Sequence, residues 1–263
     1  MSAPERQYAT LLIEREGAVT HVVLNVPERK NAIGPRMVNE LLYALADIVD
    51  DPEQRVVVMR GAAHTFCAGG DLKQMSSGGG ADELPPRGDY ADLLLAMGAF
   101  DKPILAQVEG YAMGGGLGLV AASHLAIGAA SAVLGTPEIK RGLFPMMILA
   151  VLRPLVSARE LSKMALLGEK LDATTARSYG LLTEVCADDA LEGRVAELSE
   201  RLAKLSPKAM AMGLAAMRET HDMPATEALP ELQRRLFALL STEDAQEGLR
   251  AFFEKREFVF IGC

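Results

Sequence analysis

An α/β core followed by a helical C-terminal region is the fold class that the sequence predicts. Three observations carry that expectation. Apolar β-branched runs alternate with segments of helical period along the first part of the chain. Two of those runs, Val56–Met59 and Ile104–Val108, are almost continuously apolar, as parallel strands covered on both faces are. From about Ala158 onward strand signals nearly vanish, and one helical period follows another.

The elements follow in order. Thr10–Arg15 and Val19–Leu24 are β-rich and flank Glu16-Gly17, a hairpin signal. Pro27–Asn31 is a charged turn. In Ile33–Val49 the apolar residues Met37, Leu41, Leu42, Leu45 and Ile48 recur at helical spacing. Val56–Met59 and Ile104–Val108 are buried parallel strands, and Leu125–Ile127 is a third. Residues 76–88, with three consecutive glycines and Pro85-Pro86, form a surface connector or a lid over a site. Past Ala158 a short strand is expected at Leu182–Val185. Helices are expected at Ala190–Lys204, Pro207–Thr220, Thr226–Leu240 and Glu243–Phe253, with Ser206 and Ser241/Thr242 as caps. The chain divides into a core over residues 1–200 and a helical region over residues 201–263.

Composition excludes several classes. The chain has 263 residues and a formal net charge of -8. A compact monomer of this mass exposes on the order of 11,000 Å², enough burial for a core without disulfide staples. No apolar run is long enough to span a bilayer, and the opening MSAPERQYATLL lacks a signal-peptide core, so no membrane partner and a cytoplasmic location are expected. The acidic balance disfavours nucleic acid as a partner. Three cysteines without a CxxC argue against a disulfide framework and a zinc ribbon. The four scattered histidines lack metal-ligand spacing, and no metal site is expected. Cys67 reads as a small buried thiol rather than a nucleophile. The phosphate-loop, dinucleotide, serine-elbow and zinc-protease motifs are all missing.

Two segments carry chemistry. Gly61–Lys73 (GAAHTFCAGGDLK) follows one buried strand, and Val108–Leu119 (VEGYAMGGGLGL) follows the other. Both place glycines at the carboxyl end of a parallel strand, where open α/β sheets hold ligands. The second set opens a helical stretch, and free N–H groups at a helix start stabilise an oxyanion. Close helix–strand packing at Gly114–Gly116 explains the glycines equally well. A third segment, Gly135–Pro145, sets Pro137 and Glu138 in a first helical turn. Alone, Glu138 is most simply a surface residue that compensates a helix dipole.

Taken together, these segments resemble the crotonase superfamily, the enoyl-CoA hydratase/isomerase family. The resemblance covers nearly the whole chain: LNVPERKNAI at Leu24–Ile33, FCAGGDL, EGYAMGGGLGL, GTPEIKRGLFP, and RAFFEKR at Arg250–Arg256. It implies a spiral of ββα units with a C-terminal helical trimerisation region, and a homotrimer or a homohexamer built as a dimer of trimers. It implies an acyl-CoA substrate, with coenzyme A as part of the thioester and no prosthetic group. The N–H groups of Gly70 and Gly115 would bind the thioester oxygen, and Glu138 would be the catalytic carboxylate. The coenzyme would meet Lys30, Ala68, Asp71, Leu72 and Lys73, with Phe252 and Lys255 supplied by a neighbouring subunit.

One departure matters. Well-known hydratases of the family carry a first glutamate where this chain has Gly118. Three readings stay open: an enoyl-CoA hydratase working with Glu138 alone, an enoyl-CoA isomerase with Glu138 as proton shuttle, and a non-catalytic acyl-CoA-binding protein. Burial beside Leu143, Phe144 and Met146 is expected to raise the pKa of Glu138. The run Phe144–Leu149 reads most simply as core packing, and otherwise as the lining of an acyl pocket.

Overall fold

β1 (Leu11–Glu16) and β2 (Val19–Leu24) form the hairpin, with Leu11 opposite Leu24 and Glu16 opposite Val19. Gly17 turns the chain at φ +57°, a conformation that favours glycine. The protein is described by a computed structural model over residues 6–71, 73–74 and 84–262. Leu72, most of the 76–88 segment and Cys263 lie outside the described residues.

The hairpin is the edge of a six-stranded sheet, ordered β1-β2-β3-β4-β6-β9. Every pairing after the first is parallel, through β3 (Val56–Gly61), β4 (Ile104–Val108), β6 (Leu125–Ala129) and β9 (Glu184–Cys186). Val56, Val57, Val58 and Met59 are fully buried, as their unbroken apolar run requires. The last strand lies slightly later than expected, because Leu181 and Leu182 enter the core instead. Leu182 packs on Gly128, where a β-carbon would lie 2.6 Å from Cδ1.

A second sheet is absent from the sequence expectation. β5 (Tyr111–Met113) pairs in parallel with β7 (Val133–Gly135), which pairs antiparallel with β8 (Lys170–Asp172). Strands of three residues are too short to show a period.

The helices cover these sheets. α1 (Pro35–Val49) buries Met37, Val38, Leu41, Leu45 and Ile48. It starts later than the apolar period does, because Ile33 is held in a bridge to Gly70. α2 (Tyr90–Gly98) was not expected. Asp89 and Asp92 start it with a reciprocal capping box. α3 (Gly115–Ala122), α4 (Leu149–Leu152), α5 (Ala158–Leu167), α6 (Ala173–Ser178) and α7 (Leu191–Ala203) complete the core.

Three further helices end the chain: α8 (Pro207–Glu219), α9 (Ala225–Leu240) and α10 (Glu243–Glu254). The Ser206 and Thr242 hydroxyls cap α8 and α10 by accepting from the N–H groups of Ala209 and Ala245. α8 and α9 contain no buried residue, and Leu229, Phe237, Phe252 and Phe253 are all more than half exposed. The chain exposes 14,149 Å², more than the roughly 11,000 Å² of a compact monomer of this mass. Among the described residues no helix is long and apolar enough to cross a membrane.

Candidate active site

The site is built on one extended stretch, residues 66–71, zipped between two neighbours. On one side Phe66 and Cys67 donate to the carbonyls of Glu109 and Tyr111, and Met113 donates to Cys67. On the other, Ala68 donates to Lys30, Ile33 to Gly69, and Asp71 to Ile33. Peptide groups alternate in direction along extended backbone. The bonds at Gly69 and Asp71 flank Gly70, so the Gly70 N–H points away from Ile33. Asn31 braces the stretch before it: its amide donates to the carbonyls of Ala62 (2.9 Å) and Thr65 (2.6 Å), and its Oδ1 accepts from Val26.

Glycine brings the second loop against the first. Gly69, at φ +109°, runs beside Met113, and a β-carbon there would lie 3.1 Å from the Met113 carbonyl oxygen. A β-carbon on Gly116 would lie 2.7 Å from both Cβ and the carbonyl oxygen of Cys67. In the glycine triplet, Gly116 serves close packing, and Gly115 opens α3. The Gly115 N–H is at the first position of α3, where no intrahelical acceptor exists.

Gly70, Gly115 and Glu138 line one cavity of about 560 Å³. Ile33, Val38 and the run Leu143–Ile148 form its apolar wall, and Gly88–Tyr90 close another side. The run Phe144–Leu149 divides: Ile148 and Leu149 pack in or against the core, whereas Phe144–Ile148 line the cavity, with Met146 69% and Met147 48% exposed. The described end of the 76–88 segment is anchored. Asn39 of α1 donates to the Leu84 and Pro85 carbonyls and accepts from the Arg87 N–H.

Glu138 sits in a 3-10 turn, Pro137–Arg141, with Pro137 at its first position. Its Oε2 is buried and has no hydrogen-bond partner among the described residues. Oε1 lies over Gly114, 2.9 Å from where a β-carbon would be. Burial pushes the Glu138 carboxyl above its ordinary range, against the pull of its own N–H and of Arg141. A surface residue compensating a dipole would show neither feature.

The place above Gly118 is filled. A β-carbon there would lie 2.3 Å from the Tyr90 hydroxyl and 2.5 Å from Ile148 Cγ2. Tyr90, on the α2 missed in the sequence, donates its hydroxyl to the Gly115 carbonyl at 2.5 Å. The Asp89-x-x-Asp92 spacing was the available signal for that helix start.

The other candidate residues are spread out. Lys30 is exposed, with Nζ 5.5 Å from the Tyr111 ring centroid. Ala68 is exposed beside Gly70. Asp71 is buried, bonds Arg29 at 2.5 Å and accepts from the N–H groups of Lys73 and Gln74. Leu72 lies outside the described residues. Phe252 and Lys255 are at the end of α10 and do not line the cavity. Cys67 is fully buried, and burial pushes its thiol up to about 12, which leaves no thiolate near neutral pH. Among the described residues no group of three His, Cys, Asp or Glu side chains could hold a metal.

Comparison with known proteins finds matches over nearly the whole chain. The family model described as enoyl-CoA hydratase/isomerase matches residues 14–262. A probable enoyl-CoA hydratase of Mycobacterium tuberculosis is 32% identical over 251 residues, covering 95% of this chain and 96% of that protein. The 2,3-dehydroadipyl-CoA hydratase of Escherichia coli is 32% identical over 260 residues, covering 96% and 98%. A crystal structure of enoyl-CoA hydratase from Mycobacterium smegmatis superposes with a TM-score of 0.88 at 27% identity, covering 95% and 98%.

Proposed function

The chain belongs to the enoyl-CoA hydratase/isomerase family, and on that premise we propose that it is an enoyl-CoA hydratase that adds water across a 2-enoyl-CoA with one carboxylate, Glu138. The observation that carries the proposal is the unpartnered Oε2 of Glu138, in the cavity that also exposes Gly70 and Gly115. A buried carboxylate oxygen without a donor is costly unless a ligand or water completes it.

The Gly70 and Gly115 N–H groups receive the thioester oxygen. Water adds through oxygen to Cβ while Glu138 accepts its proton. Negative charge moves onto the thioester oxygen, and the two amides hold it there. Preorganised donors of this kind are worth about 3–4 kcal/mol each. Glu138 then returns a proton to Cα, which completes addition of H and OH across the double bond. A raised pKa suits a group that must accept and donate near neutrality.

The acyl chain is apolar. The wall at Val38 and Leu143–Ile148 offers it hydrocarbon, and no Lys or Arg is among the described residues lining the cavity. Lys30, Ala68, Asp71 and Lys73 mark the coenzyme's path from Gly70, with Asp71 acting by holding backbone rather than by contact. Phe252 and Lys255 reach a neighbouring subunit's coenzyme in a trimer or hexamer, which also covers the exposed apolar residues of α9 and α10. The helical region over residues 201–263 is the oligomerisation unit.

One observation favours the isomerase instead. Tyr90 and Ile148 occupy the space above Gly118, so Glu138 stands without the second glutamate with which a two-glutamate hydratase orients water. Moving a proton between C2 and C4 needs only one.

Crotonyl-CoA and a 3-enoyl-CoA, each given to wild type and Glu138→Gln, decide between these readings. Hydration of crotonyl-CoA that disappears in the variant supports the hydratase. Turnover of the 3-enoyl substrate alone supports the isomerase. Binding without reaction of either substrate supports the non-catalytic reading.

A further inference from the structure

We propose that Tyr90 is a positioning residue that aims the Gly115 N–H into the cavity through a neutral hydrogen bond to the Gly115 carbonyl. The inference rests on the proposed role of Gly115 as an oxyanion donor.

Three observations carry it. First, the Tyr90 hydroxyl donates to the Gly115 oxygen at 2.5 Å, which fixes the peptide plane immediately after the proposed donor. Second, the ring lies against the same glycine. Its Cζ and hydroxyl oxygen would both be 3.6 Å from a β-carbon on Gly115. Third, the hydroxyl fills the space above Gly118, 2.3 Å from a β-carbon there. Glycine at 118 is therefore what admits the hydroxyl, and the two residues form one arrangement.

This device solves a local problem. α3 begins with two glycines behind a glycine N-cap, Gly114, and has no side-chain cap. Glycine backbone is conformationally permissive, so a first turn made of it is poorly held. A catalytic donor needs the reverse, since preorganisation is what makes an amide effective. The tyrosine supplies the missing restraint from a separate helix, itself fixed by the Asp89–Asp92 capping box. Burial keeps the hydroxyl protonated, so it remains a donor across the working pH range.

The test is Tyr90→Phe, read by the carbonyl stretching frequency of a bound enoyl-CoA and by steady-state kinetics. In wild type, oxyanion donors lower that frequency when the thioester binds. The variant keeps the ring, so the thermal midpoint and coenzyme A affinity should stay close to wild type. The proposal expects kcat to fall about tenfold, the worth of one neutral hydrogen bond. It expects KM to change less than kcat, and the carbonyl shift to shrink. 3-Fluorotyrosine at position 90 retains the hydroxyl and should retain the shift. An undiminished shift in Tyr90→Phe overturns the inference and leaves the oxyanion reading intact. A wild type with no shift at all overturns both.

Discussion

The Cα of Gly116 rests on Cys67: a β-carbon at 116 would stand 2.7 Å from both Cβ and the carbonyl oxygen of Cys67. That contact joins the two loops that bring Gly70 and Gly115 to the cavity. The Met113 N–H and Cys67 carbonyl bond at 3.0 Å fixes their register. Gly116→Ala should therefore lower kcat/KM by about 100-fold, the scale of a displacement near 1 Å. It should also cost about 1–3 kcal/mol of stability, as overpacking does. Steady-state kinetics and denaturant unfolding measure the two effects.

The same burial makes Cys67 inert. With its thiol pushed up to about 12 and no exposed surface, it should resist iodoacetamide at neutral pH. Cys67→Ala should keep activity within about threefold, because a thiol-sized cavity is a small perturbation. Rapid inactivation of folded enzyme, protected by substrate and abolished in Cys67→Ala, would contradict this.

Glu138 should leave a signature in stability. Its carboxyl is raised in the folded chain, chiefly by burial, so the folded state holds the proton more tightly than the unfolded state does. As pH rises from the unfolded carboxyl's range through the raised folded value, deprotonation destabilises the fold. Glu138→Gln removes that cost. The variant should melt above wild type at neutral pH, and the gap should close on acidification toward pH 4, near the unperturbed carboxyl value. Thermal unfolding of both proteins across that range tests the sign.

The lining predicts a preference for uncharged acyl chains. Asp89 and Glu138 are the carboxylates there, and no cation among the described lining residues opposes them. A terminal carboxylate on the acyl chain would lose hydration without gaining a partner. kcat/KM for an enoyl-CoA ending in a carboxylate should fall at least about tenfold below that for its methyl-ended counterpart. Comparing two substrates of equal chain length measures it.

Much of this was legible in the sequence. Val56–Met59 and Ile104–Val108 announced buried parallel strands through their composition, and Ser206 and Thr242 announced helix starts through capping chemistry. The glycine segments and Glu138 stood out by motif, and they share one cavity. The second sheet was hidden because β5, β7 and β8 have three residues each, below the length at which alternation shows. Tyr90 was hidden for another reason. Its contacts with Gly115 and Gly118 span 25 or more positions, and nothing local in a tyrosine marks such a partner. Asn31 belonged to a recognised motif, yet its brace on Ala62 and Thr65 appears only once the loops are folded.

Proton exchange at Cα tests the central claim most directly. A saturated acyl-CoA such as butyryl-CoA, incubated in D₂O with enzyme, reports enolate formation without requiring hydration or isomerisation. The account predicts deuterium at Cα with wild type. With Glu138→Gln it predicts exchange slowed by 100-fold or more, the usual scale for a positioned general base, and unchanged coenzyme A affinity. Exchange that persists at the wild-type rate in Glu138→Gln, or its absence from wild type that binds the thioester, would contradict it.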